Sequence, residues 1–123
     1  MSNFNTKFTQ GHGYRVFLAF AQKEKFVICV AENLENKSQF LIINTNPRTR
    51  YPSLNLPIKK EDLFQCLTND ISYIAMDKFI TCSTDDIKKD CGEVSILIKK
   101  EIKKQSQKND LLTKRQKKSI FNT

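Results

Sequence analysis

The sequence predicts a mainly β domain, a small curled sheet or barrel, followed by one or two C-terminal helices. Three observations predict it. Apolar and polar residues alternate with period two through most of the first half, in runs rich in Val, Ile and Phe. Pro47, Pro52 and Pro57 break up the middle of the chain and exclude helix there. Beyond Gly92 the period changes, and Val94, Ile98 and Ile102 recur every four residues, the spacing of one helix face.

Residues 1–12 are polar and aperiodic, a loosely ordered lead-in. Over 13–20, Tyr14, Val16, Leu18 and Phe20 alternate with Arg15, Phe17 and Ala19 as a first strand. After the polar break 21–25, the run Phe26-Val27-Ile28-Cys29-Val30-Ala31 is a second strand. The turn formers Asn33, Asn36 and Ser38 separate it from a third strand over 39–43, so the two form an antiparallel hairpin. Leu54, Leu56 and Ile58 alternate as a short edge strand, and residues 59–67 hold one helical turn with Leu63, Phe64 and Leu67 inward. Residues 71–76 and 78–81 are extended. Ser83-Thr84-Asp85-Asp86 carries side-chain oxygens suited to capping a helix. An amphipathic helix follows over about 93–107, with Leu97 beside its apolar stripe, and Asn109 or Asp110 ends it. A second helix then carries Leu111, Leu112, Ile120 and Phe121. The expected organisation is the lead-in 1–12, a body over 13–106 and a basic helical tail over 107–123.

The chain of 123 residues fits one domain. Its net charge of +8 is unevenly placed. Residues 1–87 hold 10 Lys/Arg and 9 Asp/Glu, a net of +1, whereas residues 88–123 hold 11 and 4, a net of +7. Such a tail attracts polyphosphates or an acidic protein, and a solvated helix face is the plain alternative. Cys29, Cys66, Cys82 and Cys91 have no pair at the close spacing of zinc or dithiol sites. A metal is therefore not expected, nor is another cofactor. The N-terminus lacks the pattern of an export signal, and no apolar run is long enough to span a bilayer. The expected location is the cytoplasm, with reduced cysteines and no membrane contact.

The order of parts resembles the PemK/MazF-like toxin family of small SH3-like barrels. Gly11-His12-Gly13-Tyr14-Arg15-Val16-Phe17-Leu18 is similar to the glycine and aromatic that open its first strand. Phe26-Val27-Ile28-Cys29-Val30 resembles its P-V-L-V-V strand, and Leu41-Ile42-Ile43-Asn44-Thr45-Asn46 the apolar-Thr-polar end of its third. Ser72-Tyr73-Ile74-Ala75-Met76-Asp77-Lys78-Phe79-Ile80-Thr81 resembles S-W-V-R-L-D-K-L-V-T, and Cys91-Gly92-Glu93-Val94-Ser95 resembles I-G-x-L-S, which opens the family's final helix. The likeness runs over about 11–105.

The resemblance implies a metal-independent endoribonuclease acting on single-stranded RNA, a homodimer, and an acidic antitoxin-like partner. Active members use an arginine before the second strand's proline to stabilise the phosphate as the RNA 2′-hydroxyl attacks it. They use a threonine after the third strand to position that reaction. Thr45 matches the threonine, but Lys25-Phe26 stands in place of arginine–proline. A lysine supplies the charge without the planar fork that grips a phosphate at two points, so activity is expected to be weakened or absent. Lys25 and Thr45 are the catalytic candidates, and Lys23, Arg48, Arg50 and Tyr51 the RNA-binding ones. Lys23 and Lys25 are also readable as solubilising a hairpin tip, the arginines as exposed loop residues, the commoner case, and Thr45 as a strand-end hydroxyl bonded to local backbone. Two other readings stay open at this point: a catalytically silent nucleic-acid-binding barrel, or a protein-interaction module. His12, the only histidine, reads as a mobile surface residue rather than a general base.

Overall fold

A computed structural model describes residues 8–34, 37–47, 51–63, 67 and 69–121. β1 (His12–Leu18), β2 (Lys23–Leu34) and β3 (Lys37–Asn44) form a meander, followed by β4 (Asn55–Lys59), the single turn α1 (Lys60–Leu63), β5 (Ile71–Ala75) and β6 (Ile87–Glu93). Two helices close the chain, α2 (Ile96–Gln107) and α3 (Lys114–Ser119). The strands make one antiparallel six-stranded sheet in the order β4-β5-β3-β2-β1-β6. The mainly β curled sheet with C-terminal helices is thus the observed architecture.

Both faces of the central strands are buried, which explains why β2 and β3 read as continuous apolar runs. On one face Ile28, Val30, Leu41, Ile43 and Ile74 pack under Val94, Ile98 and Ile102, the stripe that the four-residue period predicts, joined by Leu112 and Ile120. On the other, Val16, Leu18, Val27, Phe40 and Ile42 enclose a second core with Phe8 and Tyr14. Phe8 meets Phe40 edge-on at 4.5 Å and Tyr14 at 5.0 Å, so the end of the lead-in is packed. Register shifts near Ala31 and on the β1–β6 pair mark the irregularities that bend a sheet toward closure. Pro57 lies in β4, an edge strand, where its missing N–H can face away from the ladder.

Several expectations are corrected. Ser83 does cap, accepting from the Asp85 N–H, but what it caps is a 3-10 turn over Thr84–Asp86 that leads into β6 rather than into a helix. The amphipathic helix begins only at Ile96, with the Ser95 hydroxyl accepting from the Ile98 N–H. Leu97 lies outside the stripe and is 68% exposed. Phe20 is equally exposed, because β1 ends at Leu18 and Phe20 falls in the hairpin turn. The second helix is shorter than its apolar residues suggest: Leu112 and Ile120 are buried just outside its ends. Within 78–81 the pairing is a single bridge from Ile80 to Phe40. His12 is not adrift; it opens β1 with Nδ1 3.1 Å from an Asp90 carboxylate oxygen. Phe64 lies outside the described residues, and Leu67 is buried.

Candidate functional site

Strand register decides which polar side chains meet. Val16 pairs with Lys25 across the first hairpin. Phe26 pairs with Ile43 in the second, which sets Lys25 beside Asn44. Asn44 in turn pairs with Tyr73 of β5, and Tyr73 with Pro57 of β4. Side chains of directly opposed residues share a face. Lys25, Asn44 and Tyr73 therefore form a row across three strands, on the face that carries the Phe40 core and at the end where that core gives way to polar residues.

Two members of the row are bonded to each other. Lys25 Nζ donates to Asn44 Oδ1 at 2.9 Å in a partly buried setting. The Asn44 Nδ2 atom is buried and has no hydrogen-bond partner among the described residues. Leaving such a donor unmade costs about 1–3 kcal/mol, an expense most folds avoid. Thr45 follows Asn44 directly, beyond the last residue of β3, and is exposed. Lys23 lies two residues before Lys25, so the period of two puts it on the same face; it is exposed at the first residue of β2. The tight turn before it is closed by Ala21 N–H to Leu18 O and by Gln22 in the left-handed region at φ 54°.

The structure thus gathers Lys23, Lys25 and Thr45 at one sheet end. Tyr51 is elsewhere. It precedes the 3-10 turn Pro52–Leu54, and Asn55 after that turn pairs with Ala75, so Tyr51 stands toward the Met76 end of β5. Arg48 and Arg50 lie outside the described residues. Two residues of the row escaped the sequence reading as site residues, Asn44 and Tyr73. Each lies inside a quoted motif, yet only the register shows that they flank one another and that Asn44 holds the lysine.

Other polar groups are less suggestive of chemistry. Burial pushes the thiols of Cys29 and Cys82 up to about 12, which keeps both protonated. Burial also raises the Tyr14 phenol, against the opposing hydrogen bond from the Thr9 N–H. Glu93 is held below the usual carboxylate range by its hydrogen bond from Lys99 Nζ. Among the described residues no group of three His, Cys, Asp or Glu side chains could hold a metal ion, and no helix is long and apolar enough to cross a membrane. A groove of about 430 Å³ runs between Gly11 and α2, with Glu32, Glu93, Lys99 and Lys103 on its walls.

No family model and no curated protein matches the chain. A solved structure does: an endoribonuclease in complex with its cognate antitoxin from a mycobacterial species, similar over 82% of this chain and 92% of that one, at 20% identity and a TM-score of 0.62. That likeness shows the fold, and it agrees with the fold that the sequence resemblance implies.

Proposed function

We propose that this chain is a toxin-like endoribonuclease that cuts single-stranded RNA without a metal, at the end of the sheet where Lys25, Asn44 and Thr45 meet. The observation that carries the reading is the Lys25–Asn44 bond of 2.9 Å. It holds a cation on Asn44, the residue before the strand-end Thr45, on a fold shared with a known endoribonuclease. The charge is aimed where a phosphate would acquire negative charge. In the reaction, the RNA 2′-hydroxyl loses its proton to water as its oxygen attacks the adjacent phosphorus, the bond to the 5′-oxygen breaks with that oxygen taking a proton from water to leave as a 5′-hydroxyl, and a 2′,3′-cyclic phosphate forms. Lys25 stabilises the charge that builds on the non-bridging oxygens. The Thr45 hydroxyl orients the phosphate. Lys23 and the arginines Arg48 and Arg50 bind flanking phosphates, and Tyr51 stacks an unpaired base further along the strand.

A lysine makes a point contact where a guanidinium would make two parallel bonds. The expected rate is accordingly low. An acidic antitoxin-like protein restrains the enzyme in the cytoplasm, a reading supported by the neighbour's complex with its antitoxin, and the active form is a homodimer, as the family resemblance implies. The test is incubation of the purified protein with mixed single-stranded RNA in EDTA. Wild type should cleave, Lys25→Ala and Thr45→Ala should each lose about 100-fold or more, as loss of one charge-stabilising donor does, and Lys25→Arg should match or exceed wild type. Intact RNA with folded wild-type protein would overturn the assignment of catalysis.

A further inference from the structure

The basic C-terminus has no part in that site, and its geometry calls for its own account. Lys100, Lys103 and Lys104 lie on α2, Lys108 caps its end, and Lys114 and Lys118 lie on α3; all are exposed. Successive members Lys100, Lys104 and Lys108 fall on one helix face about 6 Å apart along the axis. None of these lysines has an acidic partner among the described residues, whereas Lys99 is engaged by Glu93.

The cations are not on a loose tail. Asn109 Nδ2 donates to Met76 O at 2.6 Å, and the Phe121 N–H donates to Val30 O at 2.7 Å. Thr113 and Gln116 form a reciprocal capping box, and Lys117 Nζ donates to the Gln107 carbonyl at 3.1 Å. Leu112 and Ile120 sit in the core. Like charges are held close together against their mutual repulsion, which makes the surface a fixed field for an anionic partner.

We infer that the outer face of α2 and α3 is a second binding surface, one that tracks the phosphate backbone of single-stranded RNA outside the proposed catalytic end. Composition favours a nucleic acid over a protein here. Lysine is depleted from protein–protein interfaces, which enrich aromatic residues, Met and Arg. The exposed apolar side chains of α2, Ile96 and Leu97, are confined to its first turn, and beyond it the exposed residues of the helix and its cap are Lys100, Lys103, Lys104, Gln107 and Lys108, with Asp110 and Leu111 at the corner. The surface is also separate from Lys25. The chain end is bonded at Val30, about 17 Å along β2 from Lys25 at the usual strand rise, on the opposite face of the sheet. That the polyanion is RNA rests on the endoribonuclease reading; that the surface binds one does not.

The experiment measures binding of a fluorescent 20-nucleotide 2′-O-methyl oligouridylate, which cannot be cleaved, by anisotropy between 50 and 200 mM KCl. The comparison is wild type against the quadruple variant Lys104→Ala, Lys108→Ala, Lys114→Ala, Lys118→Ala, with its all-arginine counterpart and Lys37→Ala alongside. The quadruple alanine variant should bind about tenfold or more weakly at low salt. Its log–log salt slope should be smaller by about 2–3, since each single-strand phosphate contact contributes about 0.7. The arginine counterpart should retain binding, and Lys37→Ala, an exposed lysine outside both surfaces, should stay within about twofold of wild type. Unchanged affinity and slope in the quadruple variant would overturn the inference. So would polyglutamate of equal charge binding wild type as tightly as the oligonucleotide, which would make the surface protein-facing. Failure of wild type to cleave RNA would remove the catalytic reading and leave this result standing.

Discussion

Asn44 shows how one side chain can be nearly neutral for the fold and still set a site. Its oxygen holds the Lys25 ammonium, a charged hydrogen bond worth about 1.5–3 kcal/mol, while its amide nitrogen is buried without a partner at a cost of about 1–3 kcal/mol. Asn44→Ala removes both effects, so they nearly cancel. The expected outcome is a urea midpoint close to wild type together with cleavage reduced about tenfold, because Lys25 loses the bond that aims it. A large drop in midpoint would show that Asn44 serves the fold instead. The buried thiol of Cys29 and the half-buried thiol of Cys82 give a second prediction at this scale. With Cys29 and Cys82 held protonated to about 12 by burial, the folded protein keeps protons that the unfolded chain loses above about 8.5. Their contribution to stability is complete below that pH and declines as pH rises toward about 12. Chemical denaturation at pH 7 and pH 10 should show the decline, and both thiols should resist thiol reagents in the native state at pH 8. Cys29 was legible as a buried thiol, since it lies in an unbroken apolar run. Cys82 was not, because the residues around it are polar and its cover comes from a distant strand.

At the scale of elements, pattern and structure agree where the pattern has a local cause. β1, β2 and β3 carry alternating or continuous apolar residues because each is flanked on both sides, and α2 keeps a four-residue stripe because one face lies on the sheet. That stripe makes α2's stability predictable. Ser95→Ala removes a single cap bond and should cost about 1 kcal/mol. Ile102→Ala empties a fully buried site and should cost about 2–5 kcal/mol. Equilibrium urea unfolding separates the two, and reversal of their order would mean that α2 is held by its end rather than by its face. β6 had no such local cause. Its sequence Ile87–Glu93 alternates nothing, carries charge on both faces, and is a strand only because β1, more than seventy residues earlier, offers it an edge. The capping chemistry of Ser83 was visible, but a short 3-10 turn and a helix begin with the same residues. The site was half legible for a related reason. Lys25 and Thr45 belong to local motifs, whereas the neighbours that hold them, Asn44 and Tyr73, are brought there by pairing between strands.

For the whole molecule, the question is whether the last fourteen or so residues are an appendage or part of the fold. Charge suggests an appendage, since residues 110–123 hold four Lys/Arg against one Asp, a net of +3, whereas residues 1–87 are nearly neutral. Packing says otherwise. Leu112 and Ile120 enter the same core as Ile28 and Ile74, and the chain end is bonded to the central strand at Val30. A domain of this size has about 5–15 kcal/mol of stability in all. Ile120→Ala alone should remove about 2–5 kcal/mol of it. Truncation after Asn109, which removes Leu112, Ile120 and the Val30 bond together, should remove more, lowering the melting temperature by about 10 °C or more and leaving a marginal fold. The quadruple lysine-to-alanine variant should do the reverse: it touches only exposed side chains and relieves repulsion, so its melting temperature should equal or exceed that of wild type. Differential scanning calorimetry of the three proteins decides the matter. If truncation were harmless, the tail would be an appendage and its cations free to move. If truncation unfolds the body while the alanine variant does not, apolar anchoring and basic surface are separable properties of one segment, the first serving the fold and the second available for a partner.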